Sequence, residues 1–171
     1  RIDLSDCKLV ESVLKFTFSD FDSFLYQEMP RAGATCSMVL VTETHVFQVN
    51  LGDSRSCLMQ GRFLISETAD HKPNRPSETV RIESVGGFVQ NRRVSGVLAT
   101  SRAFGDFSLK MIKGDYSGFG PVSAVPDVYC TPIKPNMWVI MGTDGLFDGF
   151  HSSSRQVIEY IHETISSKQN P

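Results

Sequence analysis

The hydrophobic pattern changes period once, near residue 30, and this change limits the folds that the chain can adopt. From Asp6 to about Met29, apolar residues recur every three or four positions, as on one face of an amphipathic helix. Met38–Thr42 is then a β-branched apolar run, and Thr44–Leu51 partly alternates apolar with polar residues. Because a very short connection separates these two runs, they predict a β-hairpin packed beside a helix.

The rest of the chain continues the mixed pattern. Six further strands are predicted, at Arg55–Gln60, Phe63–Ile65, Phe88–Val89, Val94–Ala99, Val128–Ile133 and Met137–Met141. A short helix is predicted at Ser77–Val85 and a longer one at Ser153–Ile165. Lys110–Pro121 is rich in Gly, Asp, Ser and Lys and predicts a loop. Antiparallel strands with helices before, between and after them indicate one α+β domain over residues 1–171.

Composition excludes several classes of protein. With 171 residues, 40% of them hydrophobic, and a net charge of −2, the chain has the composition of a folded domain. The near-neutral charge argues against a nucleic-acid partner, and the neighbouring Arg92 and Arg93 favour a solvated strand or turn over a basic patch. No apolar run approaches the ~18 residues that a membrane span requires. We expect a monomer, although no sequence feature determines the oligomeric state.

The four cysteines are far apart and form no C-x-x-C pair; they are Cys7, Cys36, Cys57 and Cys130. This spacing gives no zinc signature, so we expect reduced thiols that pack as small hydrophobic side chains. No N-x-S/T glycosylation acceptor is present. Both observations favour an intracellular location, cytoplasmic or nuclear.

Asp53 is the first candidate for chemistry. It has the same strand parity as Phe47, Val49 and Leu51, so an extended strand would place its carboxylate on the buried face. An unpaired charge there is unfavourable and needs a cation or water. Arg55 is a possible partner, and Gly52-Asp53 is also compatible with a simple turn, which local sequence favours.

Asp144 raises the same question. Met137–Met141 contains no charge and is predicted to be a strand buried on both faces. Asp144 and Gly145 follow that strand, and Asp148 comes four residues after Asp144. Carboxylates in such an arrangement suit Mg²⁺ or Mn²⁺, which prefer oxygen ligands, although an Asp-Gly turn is common in any protein.

Several motifs together point to a known family. In chain order they are A-G-A-T-C-S-M (Ala32–Met38), N-L-G-D-S-R (Asn50–Arg55), T-A-D-H-K-P (Thr68–Pro73), R-I-E-S-V-G-G-F-V (Arg81–Val89), R-V-S-G-V-L-A-T-S-R-A-F-G-D (Arg93–Asp106), V-P-D-V (Val125–Val128) and W-V-I-M-G-T-D-G-L-F-D (Trp138–Asp148). As an ordered set they resemble the metal-dependent serine/threonine protein phosphatases of the PPM (PP2C-type) family. The resemblance implies two antiparallel sheets packed face to face, with helices outside, in αββα layers.

The resemblance also implies a function and a metal site. The family hydrolyses phosphoserine and phosphothreonine in proteins with two or three Mg²⁺ or Mn²⁺ ions, which bind the phosphate and activate a water molecule. Asp144 is similar to a ligand of the core metal pair, Asp53 to a ligand of an additional ion, and Asp148 lies close enough to assist. Gly145 belongs to the Asp144 motif. Arg102 and Asp106 resemble structural residues before the segment that corresponds to the family's flap.

Two family features have no counterpart in the sequence. One is a D-G-H-G-G turn, which supplies core carboxylates and a general-acid histidine, and the other is a late D-N strand. We therefore assign no catalytic residue and expect an exposed sheet edge and a chain that represents part of a larger phosphatase. The alternative is an inactive relative, a pseudophosphatase that binds partners. The retained acids favour the enzyme, because buried acids without metal would reduce stability.

Overall fold

The computed structural model describes residues 3–28, 31–112, 115–116, 119–148 and 153–169. The helices are α1 (Cys7–Glu28), α2 (Pro76–Ser84), α3 (Asp144–Asp148) and α4 (Ser154–Gln169), and a short 3₁₀ helix covers Phe107–Leu109. The strands are β1 (Gly33–Ala34), β2 (Cys36–Val41), β3 (His45–Leu51), β4 (Arg55–Gln60), β5 (Phe63–Glu67), β6 (Val89–Gln90), β7 (Arg93–Val94), β8 (Phe104–Gly105), β9 (Met111–Ile112), β10 (Asp115–Tyr116), β11 (Asp127–Pro132) and β12 (Met137–Gly142). The predicted end of α1 at Met29 lies outside the described residues.

Two antiparallel sheets of three strands form the centre of the fold. The first has the order β11-β3-β2, and the second has the order β12-β4-β5. In the first sheet Phe47 of β3 lies opposite Leu40 on one side and Cys130 on the other. In the second sheet Cys57 of β4 lies opposite Ile140 and Glu67. The predicted hairpin is confirmed as β2 and β3.

The two faces of β3 have different neighbours. Val49 and Leu51 pack with Phe18 of α1 in one hydrophobic cluster. Gln48 points the other way, and its Nε2 donates to the carbonyl oxygen of Ser56 in β4, at 3.0 Å. Since successive strand residues alternate between faces, β3 separates the layer of α1 from the second sheet.

The second sheet is covered on its outer face by the C-terminal helices. Cys57 and Met59 of β4 form a cluster with Phe147 of α3 and Val157 of α4. The layers are therefore α1, the first sheet, the second sheet, and α3 with α4. The αββα arrangement and the α+β fold class are confirmed.

The prediction that Met137–Met141 is buried on both faces is wrong. β12 pairs only with β4 among the described strands, so it lies at the edge of its sheet. Val139 and Met141 are 37% and 42% exposed. The opposite edge, β5, carries Phe63, which is 79% exposed. An apolar, uncharged strand therefore does not establish burial, because burial depends on which strands lie beside it.

The expectation of four reduced thiols is also wrong in part. Cys7 at the start of α1 and Cys130 in β11 form a disulfide across 123 residues of sequence. Cys36 and Cys57 are free. Burial raises the pKa of Cys36 and raises the pKa of Cys57 to about 11. Spacing could not reveal the disulfide, because it depends on where α1 crosses the first sheet.

A buried ion pair joins α1 to the segment that was predicted to be a loop. Asp22 and Lys110 are both fully buried, and Lys110 Nζ donates to both carboxylate oxygens of Asp22 at 2.7 Å. Tyr116 Oη donates to Asp22 Oδ2 at 2.6 Å, and the Gly105 N–H donates to Asp22 Oδ1 at 2.8 Å. Lys110 therefore belongs to the core, and β9 and β10 form a short hairpin after it.

None of the helices in the described part of the chain combines the length and the apolar character needed to cross a bilayer.

Candidate functional site

The site begins where β3 ends. Gly52 follows Leu51 with φ of +103°, a backbone conformation that favours glycine. A Cβ at Gly52 would lie 2.3 Å from Thr35 Cγ2, so the close approach also requires glycine. The strand therefore stops before Asp53, and the turn interpretation of Gly52-Asp53 agrees with the structure.

Asp53 is engaged by a lysine rather than by Arg55. Lys72 Nζ donates to Asp53 Oδ2 at 2.5 Å, and the Asp53 side chain is only 14% exposed. Burial acts to lower the pKa of Lys72, but Asp53, Asp70 and Asp144 together leave it raised. Asp53 therefore contacts the Lys72 ammonium directly, and the charges of Asp70 and Asp144 add to its effect.

Arg55 connects the site to the C-terminal helices. It donates two hydrogen bonds to Asp70, from Nε to Oδ1 and from Nη2 to Oδ2, both at 2.9 Å. Nη1 also donates to Glu67 at 3.0 Å and to Ser154 at 2.7 Å. The guanidinium lies 4.9 Å from the ring centre of Phe147 in α3. Paired hydrogen bonds and a cation–π contact hold Arg55 in one orientation, which fixes α3 beside the Asp53 turn.

α3 carries the second group of candidate ligands. Asp144, Gly145 and Asp148 are all exposed on this helix, directly after β12. The charge of Asp144 helps to raise the pKa of Lys72, the lysine that contacts Asp53. A Cβ at Gly145 would lie 3.5 Å from Thr143 Oγ1, an ordinary contact, so packing gives no reason for glycine there.

The three predicted ligands do not form one tight cluster. Within the described residues, the only three metal-ligating side chains whose atoms lie within 4.8 Å of one another are Cys7, His45 and Cys130, two of which form the disulfide. Asp53 is bound to Lys72, whereas Asp144 and Asp148 are both exposed on α3. The argument that buried acids imply a metal therefore applies only to Asp53.

His71, from the T-A-D-H-K-P motif, binds the backbone of the turn that contains Gly52 and Asp53. It is fully buried, and its Nδ1 accepts a hydrogen bond from the Gly52 N–H at 3.0 Å. Nδ1 is therefore an acceptor, and the ring proton lies on Nε2, which is 3.2 Å from Asp127 Oδ2. This contact is the main cause that lowers the pKa of Asp127 to about 2.

Arg102 and Asp106 have structural positions in the neighbouring loop. Arg102 Nη1 donates to Asp127 Oδ1 at 3.0 Å, and Nη2 donates to Glu78 Oε1 at 2.6 Å. Asp106 has a left-handed backbone with φ of 51°, and burial raises its pKa. Its carboxylate lies so close to Gly33 that a Cβ there would be 2.1 Å from Oδ2.

Glu78 of α2 is the most enclosed carboxylate of this network. Its side chain is 2% exposed, and it accepts hydrogen bonds from Arg81, Arg102 and Ser101. Burial alone would raise its pKa, but the two arginines and the serine lower it to about 2. A buried carboxylate with three charge-assisted or hydroxyl partners stays ionised and stabilises the loop that holds Arg102.

Stability is expected to depend on pH through Glu78. The pKa of the folded state lies below the ordinary value of 4.5, so the contribution is complete above about pH 4.5 and is lost as pH falls toward 2. The shift corresponds to about 3 kcal/mol of unfolding free energy. Urea unfolding at a series of pH values should show a steeper acid slope for the native chain than for Glu78→Gln. Identical slopes would contradict this role of Glu78.

Several important residues were not predicted. Lys72, Asp70 and His71 stand in the recognised T-A-D-H-K-P motif, but only the folded chain shows which atoms they contact. Asp22 is an acid at a position of α1 that faces the core, and this was the available signal. Glu78 gave no signal, since a glutamate in the first turn of a helix is common.

Comparisons with known proteins agree with the motif order. A family model described as Protein phosphatase 2C matches residues 1–171. The chain is 35% identical over 149 residues to protein phosphatase 1B of Rattus norvegicus, which covers 86% of this chain and 37% of that protein. It is 35% identical over 139 residues to protein phosphatase 2C 1 of Paramecium tetraurelia, with coverage of 81% and 46%. The chain thus spans less than half the length of these two relatives.

Solved structures share the fold. A phosphatase from a pathogenic strain of Toxoplasma gondii superimposes with a TM-score of 0.79 at 23% identity, covering 94% of this chain and 66% of that one. A sex determining protein of C. elegans gives a TM-score of 0.67 at 26% identity, with coverage of 85% and 36%. With the family model matching from the first residue to the last, the chain belongs to the protein phosphatase 2C family.

Proposed function

We propose that the protein containing this chain hydrolyses phosphoserine and phosphothreonine in other proteins, using Mg²⁺ or Mn²⁺. The observation that carries the proposal is that two carboxylates, Asp53 by direct contact and Asp144 through its charge, raise the pKa of one cation, Lys72. They come from separate segments, after β3 and after β12, and both act on the same positive charge. A region that already stabilises one cation with carboxylates is chemically suited to a divalent ion.

The donor set fits a hard divalent cation. Mg²⁺ and Mn²⁺ prefer carboxylate oxygens, and such oxygens are offered by Asp53, Asp70, Asp144 and Asp148. Asp144 is exposed and therefore accessible to an ion. The Lys72 ammonium is the only cation in contact with Asp53 among the described residues, so an ion at Asp53 would compete with it. The remaining ligands of a site with two or three ions would have to come from other segments of the protein.

The residues of this chain have separate proposed roles. Asp144 and Asp53 would hold metal, with Asp148 assisting and Gly145 leaving the backbone beside Asp144 uncovered. Bound divalent ions would polarise the phosphate and lower the pKa of a water molecule that attacks phosphorus. Arg55 holds α3 in position through Asp70 and Phe147, as the distances above describe. Arg102 and Asp106 would order the loop beside the site.

The relatives support the substrate class through their names alone. Both the rat and the Paramecium proteins are named protein phosphatases. Phosphorylated proteins as substrates, an intracellular location and a monomeric state stay predictions for this chain. The general acid also stays unassigned, because no histidine of the chain was predicted to protonate the leaving group.

A pseudophosphatase that binds partners is the second candidate. It is favoured by one observation, namely that Asp53, Asp144 and Asp148 do not form a three-carboxylate cluster within the described residues. An inactive relative could keep Asp53 as the partner of Lys72 without binding metal.

Hydrolysis of a phosphothreonine peptide, with millimolar Mn²⁺ and with a chelator, tests the proposal. The protein containing this chain should release phosphate only when the metal is present, and adding Mn²⁺ after chelation should restore the rate. A parallel unfolding curve shows that the chelated sample is still folded. Phosphate release that is indifferent to the chelator would contradict the metal proposal. A folded, metal-supplied sample with no activity on serine or threonine peptides would favour the pseudophosphatase.

A further inference from the structure

A tight turn beside the candidate site holds an arginine in an unfavourable backbone conformation. β6 and β7 pair with Gln90 opposite Arg93, which leaves Asn91 and Arg92 as a two-residue turn. Their φ values are 53° and 61°, the signs of a type I′ turn. Asn tolerates this conformation, and Gly is preferred at the second position, whereas an arginine there costs roughly 1 kcal/mol or more. Backbone strain of this kind is often retained where the side chain has a functional role.

The strained arginine lines a basic cavity. The cavity has a volume of about 430 Å³, and its walls are Lys72, Asn74, Asn91, Arg92, Arg93 and Ala99. Three of these side chains are cationic, two are amides, and none is a carboxylate. Arg93 Nη1 donates to the carbonyl oxygen of Val97 at 2.7 Å. Within the described part of the chain, Arg92 makes no hydrogen bond or ion pair, so its donors are available to a ligand.

The chemistry of this wall selects an anion. Guanidinium groups present paired N–H donors that match the oxygens of a carboxylate or a phosphate. Neighbouring amide groups add neutral donors. Lys72 is already paired with Asp53, so Arg92 and Arg93 supply the positive charge that a ligand in the cavity would meet. The sequence favoured a solvated strand or turn for the two arginines; Arg92 lies in the turn and Arg93 in β7, and both line a cavity.

The cavity adjoins the candidate metal site. Lys72 lines the cavity, and its Nζ also contacts Asp53 Oδ2 at 2.5 Å. One lysine side chain therefore bridges the two places. Because an extended peptide advances about 3.3–3.6 Å per residue and a single lysine side chain joins the two places, we expect the cavity to accept a group one to three residues from the reacting phosphoresidue.

We propose that the cavity walled by Lys72, Arg92 and Arg93 binds a second anionic group of the phosphoprotein substrate, so that the protein prefers phosphosites with an acidic neighbour. This inference rests on the proposed phosphatase function. The anion is either a carboxylate of Asp or Glu or a second phosphate, since both present the same oxygen acceptors. The chain's net charge of −2 argues against a nucleic acid as the source of the anion.

Three matched phosphothreonine peptides test the inference. They differ only at the second residue after the phosphothreonine, which is glutamine, glutamate or a non-hydrolysable phosphonate analogue of a phosphorylated residue. The native protein should have the lowest KM for the two anionic peptides, on the order of 10-fold below the glutamine peptide. A preference for the phosphonate over glutamate identifies a second phosphate as the favoured anion, and the reverse order identifies a carboxylate. Equal KM values for all three peptides would overturn the inference.

Arg92→Gly is the informative variant. It removes the guanidinium while relieving the positive-φ strain, so it is expected to fold at least as well as the native chain. The ratio of kcat/KM between the glutamate and glutamine peptides should fall toward one. Arg62→Gln removes the same charge from an exposed turn between β4 and β5, away from the cavity, and should leave the ratio as it is. A ratio that survives Arg92→Gly would overturn the inference.

Binding separates this inference from the proposed function. If no peptide is hydrolysed, the phosphatase proposal fails, and the same peptides can be titrated as ligands. Tighter binding of the glutamate and phosphonate peptides that Arg92→Gly weakens, by about 10-fold, would still support the anion cavity. Equal binding of all three peptides by native protein and variant would overturn it. Raising the salt concentration should reduce the preference, because the contacts lie at an exposed cavity.

Discussion

Asp144→Asn is expected to lower the turnover of phosphothreonine peptides by at least about 100-fold, because losing even an outer-shell partner of a metal ligand reduces activity 10–100-fold. The substitution keeps the size of the side chain but removes the charge that an ion would need. It also leaves an exposed residue exposed, so the fold should not change. Phosphate release at saturating Mn²⁺, measured beside a full metal titration, gives the result.

The metal titration separates loss of binding from loss of chemistry. A variant that only binds metal more weakly should recover activity at higher Mn²⁺ concentrations. Asp20→Asn, which removes an exposed carboxylate on α1, is the matched control and should behave like the native protein. Unchanged turnover in Asp144→Asn would refute its assignment as a ligand.

Lys110→Met is expected to lower the free energy of unfolding by about 3–5 kcal/mol, since it leaves the fully buried Asp22 without its cation. Lys110 donates to both oxygens of Asp22 and also to the carbonyl oxygen of Ala103, at 2.7 Å in each case. Burial lowers the pKa of Lys110, and the contact with Asp22 opposes that effect. Urea unfolding at neutral pH, followed by circular dichroism, measures the difference.

Two companion variants make this test specific. Lys15→Met breaks the exposed pair with Glu11 on α1 and should change stability by no more than about 0.5 kcal/mol. Adding Asp22→Asn to Lys110→Met removes both buried charges, yet leaves an oxygen that can accept from the Gly105 N–H. That double variant should be more stable than Lys110→Met alone by at least about 1 kcal/mol. Additive destabilisation would show that Asp22 does not depend on the lysine.

The sequence was most informative where a pattern is local. The hairpin of β2 and β3, the long first helix and the final helix follow from periodicity, because backbone geometry decides which residues share a face. Motif order identified the family correctly. The predicted start of the Lys110–Pro121 loop was wrong, because Lys110 lies in the core, where it pairs with Asp22.

In the candidate site, too, the sequence indicated residues that local pattern singles out but not their contacts in the folded chain. Asp53 and Asp144 were chosen from sequence because each follows a strand, and in the structure Asp53 contacts Lys72 while the charge of Asp144 helps to raise the pKa of that lysine. Sequence offered Arg55 only as a candidate partner of Asp53, and in the structure Arg55 binds Asp70 through two parallel hydrogen bonds. Lys72 is 19 residues from Asp53 in sequence, so local sequence could not show this contact, which forms only after the turn at Gly52 sets the direction of the chain.

The sequence by itself determined the family and the α+β class, because these depend on residue order and strand periodicity, and Asp53 and Asp144 as metal ligands stay predictions. Only the tertiary structure decided the disulfide between Cys7 and Cys130, the buried pair of Asp22 and Lys110, and the cavity beside Arg92. Each of these joins segments that are remote in sequence. Their energies depend on burial and distance, which exist only after the layers have packed together.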